Sequence, residues 1–201
     1  MDSRKLEMLW KSRQTMLEVL RDRGYSTDGY PELTLQEFTE WVGDDSESSV
    51  KEAMTITIDD IIVLWSIKDK LGVNIQSIYS QMEKENIKKA IVVVDVSVTD
   101  NAKKVISSLR IKKVYIHVYT LTEAQFNIMK HRLVPKHEVC APKEKKQVMK
   151  AYSVNASQLP GILSSDPVIR HLGAIKGQLI RITRNSETQP GNPTITYRLV
   201  V

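Results

Sequence analysis

The spacing of apolar residues at the start of the chain predicts a long amphipathic helix. Apolar side chains recur at steps of three and four residues between Leu6 and Leu20. Gly24 follows as a residue suited to end a helix, so residues 3–23 should be helical. The cations of this segment should lie away from the apolar stripe, namely Arg4, Lys11, Arg13 and Arg21.

A second helix should begin at a capping box. Thr34 and Glu37 stand at the Ser/Thr-x-x-Glu spacing at which two side chains cap each other's backbone N–H groups, and Gly43 should close the helix. The following residues, 44–52, are acidic and rich in serine and therefore predict an exposed loop. The inward side of the helix should hold Leu35, Phe38 and Val42.

The period then changes to that of strands. Residues 53–58 alternate in polarity, whereas residues 61–67 and 90–94 are nearly continuous β-branched runs, typical of strands covered on both faces. A last strand is predicted at residues 113–120, and two helices should separate the later strands, the first capped by Asn74. The order predicts helices packed against a mixed sheet in a layered αβ domain. The apolar helix positions are Ile75, Ile78, Tyr79 and Met82, then Val105, Ile106 and Leu109.

Composition changes near residue 134, which predicts a boundary at residues 132–136 between a domain of residues 1–134 and a module of residues 135–201. Six of the seven prolines and half of the eight glycines lie after it. The tail should form a small α+β module. Its expected elements are a helix at 143–151, a helix capped by Asp166 with Pro167 at its start and Gly173 at its end, and strands at 178–184 and 194–200 joined by the loop 185–193.

Charge and composition bound the class of protein. The 201 residues are 41% apolar and carry a net charge of +5, which is sufficient for a core and favours an anionic partner. Residues 1–60 hold 7 basic and 14 acidic side chains, whereas residues 61–135 hold 12 and 6 and residues 136–201 hold 10 and 4. A single cysteine, the absence of a long apolar run and a charged N-terminus predict a soluble intracellular protein without a membrane partner.

Candidate catalytic groups are few. Strand ends carry three candidate carboxylates, Asp59, Asp60 and Asp95, as in a metal-dependent nuclease. Such a nuclease site also needs an Asp/Glu-x-Lys motif on a neighbouring strand. That motif occurs only at Glu144–Lys146, outside the predicted sheet, so strand-end residues are the favoured interpretation. Cys140 lacks the third group that a Cys-His pair with His137 would need, which favours a buried structural thiol. No metal-ligand spacing relates His117, His131, His137 and His171.

The basic residues of the central segment leave two interpretations open. They fall at helix ends and strand entries, where they could contact phosphates without reading bases or could form a solvated charged face. Two phenylalanines in the chain argue against a stacking platform for single strands. These residues are Lys84, Lys88, Lys89, Lys103, Lys104, Arg110, Lys112 and Lys113.

The tail carries a dense string of turn and cap residues. Gly177 should adopt a positive φ before a strand, and Tyr197 should pack. Taken together, these residues show no arrangement typical of a catalytic site and are typical of a docking module. The string comprises Leu133-Val134-Pro135-Lys136-His137, Gln158-Leu159-Pro160, Asp166-Pro167-Val168, Arg170, Gly173, Lys176-Gly177-Gln178, Arg184-x-Ser186-Glu187-Thr188 and Tyr197-Arg198.

This string resembles the fifth shared subunit of eukaryotic nuclear DNA-directed RNA polymerases, whose archaeal counterpart consists of the tail module alone. The front of the chain resembles the same family, so the resemblance spans nearly all of it. The front motifs are Leu9-Trp10 with Arg13, Arg23-Gly24-Tyr25, Leu33-Thr34 with Glu37-Phe38, and Met82-x-x-Glu85-Asn86-Ile87 before Ala90-Ile91-Val92-Val93.

The resemblance implies a non-catalytic subunit of a nuclear transcription complex, present in one copy, with no catalytic residue, cofactor or metal. The tail would dock on the largest subunit beside other subunits, and the front, a nuclease-like αβ domain without a catalytic site, would form part of the jaw near downstream duplex DNA. The docking residues carried over are Asp166, Pro167, Arg170, Gly173, Gly177, Arg184, Ser186, Glu187, Tyr197 and Arg198. The DNA-proximal candidates are Thr99, Asn101, Lys103, Lys104, Lys88 and Lys89.

The chain departs from the family pattern at three places. Asp100 and Asn101 stand where many members have Pro-Ser, Ile169 stands where members usually have Ala, and the loop 188–193 differs in length and residues. The departures suit a divergent lineage, a specialised paralogue, or a virus-encoded copy that would be cytoplasmic. The alternative function is a free-standing DNA-binding or transcription-regulatory protein, and a nuclease comes third.

Overall fold

The computed structural model describes residues 2–43, 50, 53–66, 75–95, 98–184 and 193–201. The chain divides into two compact units, Met1–Phe126 and Asn127–Val201. Sequence composition placed the boundary a few residues later, at 132–136, but the turn Ile128–Lys130 packs with the second unit. No helix in the described part is long and apolar enough to cross a membrane.

The first two helices form as predicted. Helix α1 spans Ser3–Asp22 and is capped by the Asp2 side chain, and Gly24 follows it with a φ of 88°. Helix α2 spans Leu35–Val42 and begins at the full capping box of Thr34 and Glu37. Because the side chains at this box satisfy N–H groups that have no partner within the helix, a short helix can begin sharply at that point.

A four-stranded sheet forms the centre of the first unit. Its strands are β1 (Ile56–Ile58), β2 (Ile61–Ser66), β3 (Lys89–Val94) and β4 (Tyr115–Thr120), in that spatial order. Strand β1 is antiparallel to β2, whereas β2, β3 and β4 are parallel. Helices α3 (Ile75–Lys84) and α4 (Asp100–Leu109) connect the parallel strands.

Helices cover both faces of this sheet. On one face Ile91 and Val93 of β3 pack with residues of α1 and α2, including Leu17 and Phe38. On the other face the alternate residues of β3 pack with α3 and α4 in a second cluster, which includes Val92. Burial on both faces explains the continuous β-branched run of β3 and gives the three-layer α/β/α arrangement.

Four details of the first unit differ from the sequence predictions. Strand β1 begins at Ile56 because Ala53 and Met54 are helical. Leu35 is exposed, and Val50, expected in an exposed loop, is fully buried in the core. Arg13 lies in the interior, where its guanidinium stacks 5.1 Å from the centre of the Trp41 ring. Asn74, Ile67 and residues 44–49 lie outside the described residues.

The second unit is built on its own sheet. Strands β5 (Lys136–Val139), β6 (Gly161–Ile162), β7 (Leu179–Arg184) and β8 (Thr194–Val200) lie in the order β5-β7-β8-β6. Helices α5 (Pro142–Ala151) and α6 (Pro167–Leu172) cover opposite faces. Ile180 packs with Ile169 of α6, whereas the preceding Leu179 packs with Val148 of α5.

Strands β5 and β6 have no clear signal in the sequence and were not predicted. Residues 136–139 are polar and form the edge strand of the sheet, where only one side of the strand is paired. Strand β6 pairs with β8. Because it is only two residues long, it is too short to give a periodic pattern in the sequence. The remaining tail elements agree closely with the predicted bounds.

Candidate functional site

The acidic turn between β1 and β2 is tied down by other side chains. The Tyr25 hydroxyl donates to Asp60 Oδ1 at 2.8 Å, and Lys89 Nζ lies 2.8 Å from Asp60 Oδ2 and 2.9 Å from the Tyr25 hydroxyl. Burial would raise the pKa of Asp60, but the bonds from Lys89 and Tyr25 outweigh it and lower that pKa. Asp59 has a φ of 48°, which marks it as a turn residue.

These contacts give the Asp60 pair a defined pH dependence. Because the pKa of Asp60 in the folded chain lies below its usual value of 3.8, the pair stabilises the fold above that pH and the stabilisation is lost as pH falls further. At neutral pH, Asp60→Asn should lower the free energy of unfolding by about 0.2–1 kcal/mol, since the pair is largely exposed. Urea titrations at successive pH values should show this difference shrinking below about pH 4. A difference that stays constant with pH would contradict the assignment.

The candidate nuclease carboxylates lie apart. Asp60 precedes β2, at the edge of the sheet where the parallel strands begin, which we call the amino edge. Asp95 follows β3 at the opposite, carboxyl edge, where it pairs with Lys5 at 2.8 Å. Strand β3 separates the two by roughly 17 Å. Among the described residues, no three His, Cys, Asp or Glu side chains could hold a metal ion together.

In the described part of this sheet, the strand order leaves no ligand crevice of the usual kind. In open α/β sheets ligands bind where the strand order reverses and the connecting helices change face. Here β2, β3 and β4 follow in sequence, and α3 and α4 pack on the same face in one cluster. The described part of this sheet is therefore better suited to presenting its edges and outer helices than to enclosing a small molecule.

The basic residues of the central segment divide between the two edges. Lys84 ends α3, Lys88 and Lys89 lead into β3, and the segment Arg110–Lys113 leads into β4, so all of these lie at the amino edge. Lys103 and Lys104 lie in the first part of α4, which follows β3 at the carboxyl edge. The DNA-proximal candidates therefore form two groups: Lys88 and Lys89 in one, and Thr99, Asn101, Lys103 and Lys104 in the other.

The carboxyl-edge group surrounds the start of α4. The Thr99 side chain caps the helix by accepting from the N–H of Ala102 at 3.4 Å. Lys103 pairs with Asp100 at 3.0 Å, so the family departure at Asp100 offsets one of the two cations. Lys104 is exposed, and Asn101 is exposed beside it. The net positive charge of this group is therefore one.

Several candidate docking residues have internal roles in the second unit. The Asp166 carboxylate caps α6 by accepting from the N–H of Val168 at 2.8 Å, and Gly173 ends the helix with a φ of 66°. Gly177 has a φ of 87°, as predicted, and its carbonyl accepts from Lys145 Nζ at 2.7 Å. The local backbone explains all three residues: Asp166 caps a helix, and Gly173 and Gly177 adopt positive φ angles that favour glycine.

The remaining candidates differ in exposure. Pro167 and Arg184 are exposed, and Arg170 is half-buried. Arg198 is exposed and donates to the carbonyl of Gly161 at 3.1 Å, which links β8 to β6. Tyr197 is half-buried and meets the Tyr152 ring edge-on at 6.1 Å, so it packs as predicted. Ser186 and Glu187 lie outside the described residues.

Cys140 is a buried thiol with a suppressed acidity. Burial, together with the neighbouring Glu144, raises its pKa to about 11. His137 Nδ1 lies 2.7 Å from the carbonyl oxygen of Pro135. A nucleophilic cysteine requires a lowered pKa, so the environment supports the structural interpretation of this thiol.

An ion-pair network in the second unit was not anticipated. Arg181 of β7 contacts Glu138 of β5 and Glu144 of α5, each at 3.0 Å, and Lys136 contacts Glu138 at 2.9 Å. The Arg181–Glu138 pair is directly opposite in the antiparallel register. The sequence did not predict the pairing of Arg181 with Glu138, because strand β5, which carries Glu138, was not predicted.

Comparison with protein families matches both parts of the chain. Residues 3–109 match the family described as RNA polymerase Rpb5, N-terminal domain, and residues 126–200 match RNA polymerase Rpb5, C-terminal domain. The second match begins at the division between the two units.

Curated relatives extend over almost the whole chain. A Caenorhabditis briggsae protein named DNA-directed RNA polymerases I, II, and III subunit RPABC1 is 36% identical over 96% of this chain and 95% of its own length. An Arabidopsis thaliana protein named DNA-directed RNA polymerase subunit 5-like protein 1 is 32% identical over 96% and 95%. The Dictyostelium discoideum RPABC1 subunit is 31% identical over 98% of each chain. With both domains matched and relatives of this identity along its length, the chain belongs to the RNA polymerase Rpb5 family.

Proposed function

We propose that this chain is a non-catalytic subunit of a multi-subunit DNA-dependent RNA polymerase, acting in the nucleus in one copy per complex. The observation that carries the proposal is the match of both domains, together with relatives of similar length that are named as polymerase subunits. The separation of Asp60 from Asp95 supports a first unit that performs no phosphodiester chemistry. A nuclease-like ancestry of its layered fold is part of the same proposal.

The second unit docks on the largest subunit through the surface around α6. Pro167 and Arg170 lie on this helix, and Arg184 and Arg198 lie on the two central strands of the sheet beneath it. Arginine suits such a role because its planar guanidinium makes paired hydrogen bonds and retains its charge. Asp166, Gly173 and Gly177 contribute indirectly, by setting the backbone that presents these side chains.

The first unit braces downstream duplex DNA through sparse contacts to phosphates. The carboxyl-edge group, with Lys104 exposed and Lys103 paired to Asp100, gives weak attraction without sequence preference. Lys89 contributes little to such contacts because Asp60 already neutralises it. Binding of DNA by the isolated chain should therefore be weak, and the complex should supply most of the affinity.

Co-purification tests the assignment directly. The tagged full chain, expressed in its native cells, should recover the largest polymerase subunit and other polymerase subunits in constant proportion. A chain that elutes as an isolated monomer from lysate, unassociated with polymerase, would overturn the proposal. Tight duplex binding by that monomer at physiological salt would instead favour a free-standing DNA-binding protein.

The docking surface is tested by replacing two arginines. The double variant Arg170→Ala/Arg198→Ala should recover about tenfold less of the largest subunit, since arginine is enriched among the interface residues whose truncation to alanine costs about 2 kcal/mol or more. Lys150→Ala serves as the control, because it removes an exposed cation of the same unit from α5, which packs on the face of the sheet opposite α6. Unchanged assembly of the double variant, with its thermal unfolding lowered, would show that both arginines serve only the internal fold.

A further inference from the structure

Helix α5 presents three lysines on one face. Lys143, Lys146 and Lys150 are spaced by three and four residues, which places them on the same side of a helix, and all three are exposed. Val148 lies on the opposite side, where it packs with Cys140 and Leu179. The first and last lysines are about 10 Å apart along the helix axis. We call these three residues the lysine stripe.

No acidic side chain of α5 neutralises the positive charge of the lysine stripe. Glu144, the one acidic residue of α5, is turned away to Arg181 at 3.0 Å. The fourth lysine of the helix, Lys145, donates to the carbonyl of Gly177 and so serves packing. Among the described residues, the side chains of the three stripe lysines make no ion pair or hydrogen bond, and their charges face solvent.

The composition of this face favours phosphate over a protein surface. Gln147 lies between the lysines and is also exposed, so the face offers amide and ammonium donors. Protein interfaces are depleted in lysine at their centre and depend on buried aromatic, arginine or aliphatic anchors. The exposed face of α5 offers no such anchor, whereas lysine and glutamine both bind phosphate oxygens.

We propose that the lysine stripe binds the phosphate backbone of a nucleic acid, without reading its sequence. Three charges over about 10 Å suit an extended polyanion, because a duplex carries roughly one charge per 1.7 Å of its axis. The stripe lies on the face of the sheet opposite α6, so docking through α6 leaves it accessible. This contact is additional to the proposed function, which places nucleic acid beside the first unit only.

Salt-dependent binding tests the lysine stripe in the isolated full chain. Fluorescence anisotropy with a short labelled DNA duplex compares the parent with the triple variant Lys143→Gln/Lys146→Gln/Lys150→Gln. Between about 50 and about 200 mM salt, the affinity of the parent should fall about fortyfold more than that of the variant, if each lysine neutralises one phosphate. Thermal unfolding should be unchanged, because the three side chains have no partners in the described structure.

A matched control removes the same charge from the first unit. The variant Lys84→Gln/Lys112→Gln/Lys113→Gln should keep the salt dependence of the parent. Equal losses in both triple variants would overturn the proposal, because net charge alone would then explain the binding. Equal affinity for polyglutamate or for vesicles of anionic lipid would also overturn it, in favour of an acidic protein or a membrane surface. Recovery of polymerase subunits with the lysine variant is a separate readout, so failure here leaves the proposed function intact.

Discussion

Replacing Ile180 with alanine is expected to lower the free energy of unfolding of the second unit by about 2–5 kcal/mol. Ile180 is fully buried in β7, a central strand of the sheet that pairs with β5 on one side and β8 on the other. It packs with Ile169 and Ala174, so truncation leaves a cavity between the sheet and α6. A loss of this size is a large share of the stability of a small unit.

The distribution of tryptophan allows this loss to be assigned to one unit. All three tryptophans, Trp10, Trp41 and Trp65, lie in the first unit. In denaturant, Ile180→Ala should therefore shift the hydrogen-exchange protection of β7 and β8 while the tryptophan fluorescence midpoint stays in place. Ile180→Val is the control and should cost about 0.5–1.5 kcal/mol. Unchanged protection in the alanine variant would contradict the assigned packing.

The same variant bears on assembly. If the second unit anchors the chain, Ile180→Ala should reduce recovery of the largest polymerase subunit, because α6 rests on the face of the sheet that the substitution opens. The conservative Ile180→Val variant should assemble normally. Full recovery with a destabilised second unit would place the anchor in the first unit.

Replacing Ile91 with alanine should produce an equally large loss in the first unit, about 2–5 kcal/mol. Ile91 is fully buried in the central strand β3, opposite Val63 on one neighbour and His117 on the other. It belongs to the cluster that joins the sheet to α1 and α2. A cavity there loosens the layer that also holds Trp65.

Trp65 makes this loss directly visible. Its indole Nε1 donates to the Ser12 hydroxyl at 2.9 Å inside the same cluster. Ile91→Ala should lower the tryptophan fluorescence midpoint and leave the protection of β7 and β8 unchanged, with Ile91→Val as the smaller-loss control. Recovery of polymerase subunits should persist. A fluorescence midpoint equal to that of the parent would show that the site collapses around the cavity or that β3 contributes less than its burial indicates.

Local signals predicted much of the fold. The capping box at Thr34 and the Asp166–Pro167 start of α6 act through hydrogen bonds between near neighbours, so the residues alone carry the information. The β-branched run of β3 likewise predicted a doubly covered strand. Leu35 and Val50 were assigned to the wrong environment because their burial depends on neighbours far along the chain.

The candidate site was predicted less completely than the fold. Lys88 and Lys103 both belong to a basic segment, yet β3 places them at opposite edges of the sheet. Edge strand β5 has no apolar period, so Glu138 and its pairing with Arg181 became apparent only from the register. Sequence spacing gives the face of one helix or strand, but it does not give the order of strands.

The sequence by itself determined the family, the two-part organisation and the elements whose ends depend on caps, turns and periodic burial. These properties depend on residues within a few positions of one another, or on an ordered string of motifs. The tertiary structure decided which cationic side chains are paired with carboxylates and which remain free to bind an anionic partner. Asp60 neutralises Lys89, Arg181 engages Glu144, and the stripe on α5 is left facing solvent. Charge compensation depends on distances of a few ångströms between residues distant in the chain, so the net charge of +5 alone could not locate it.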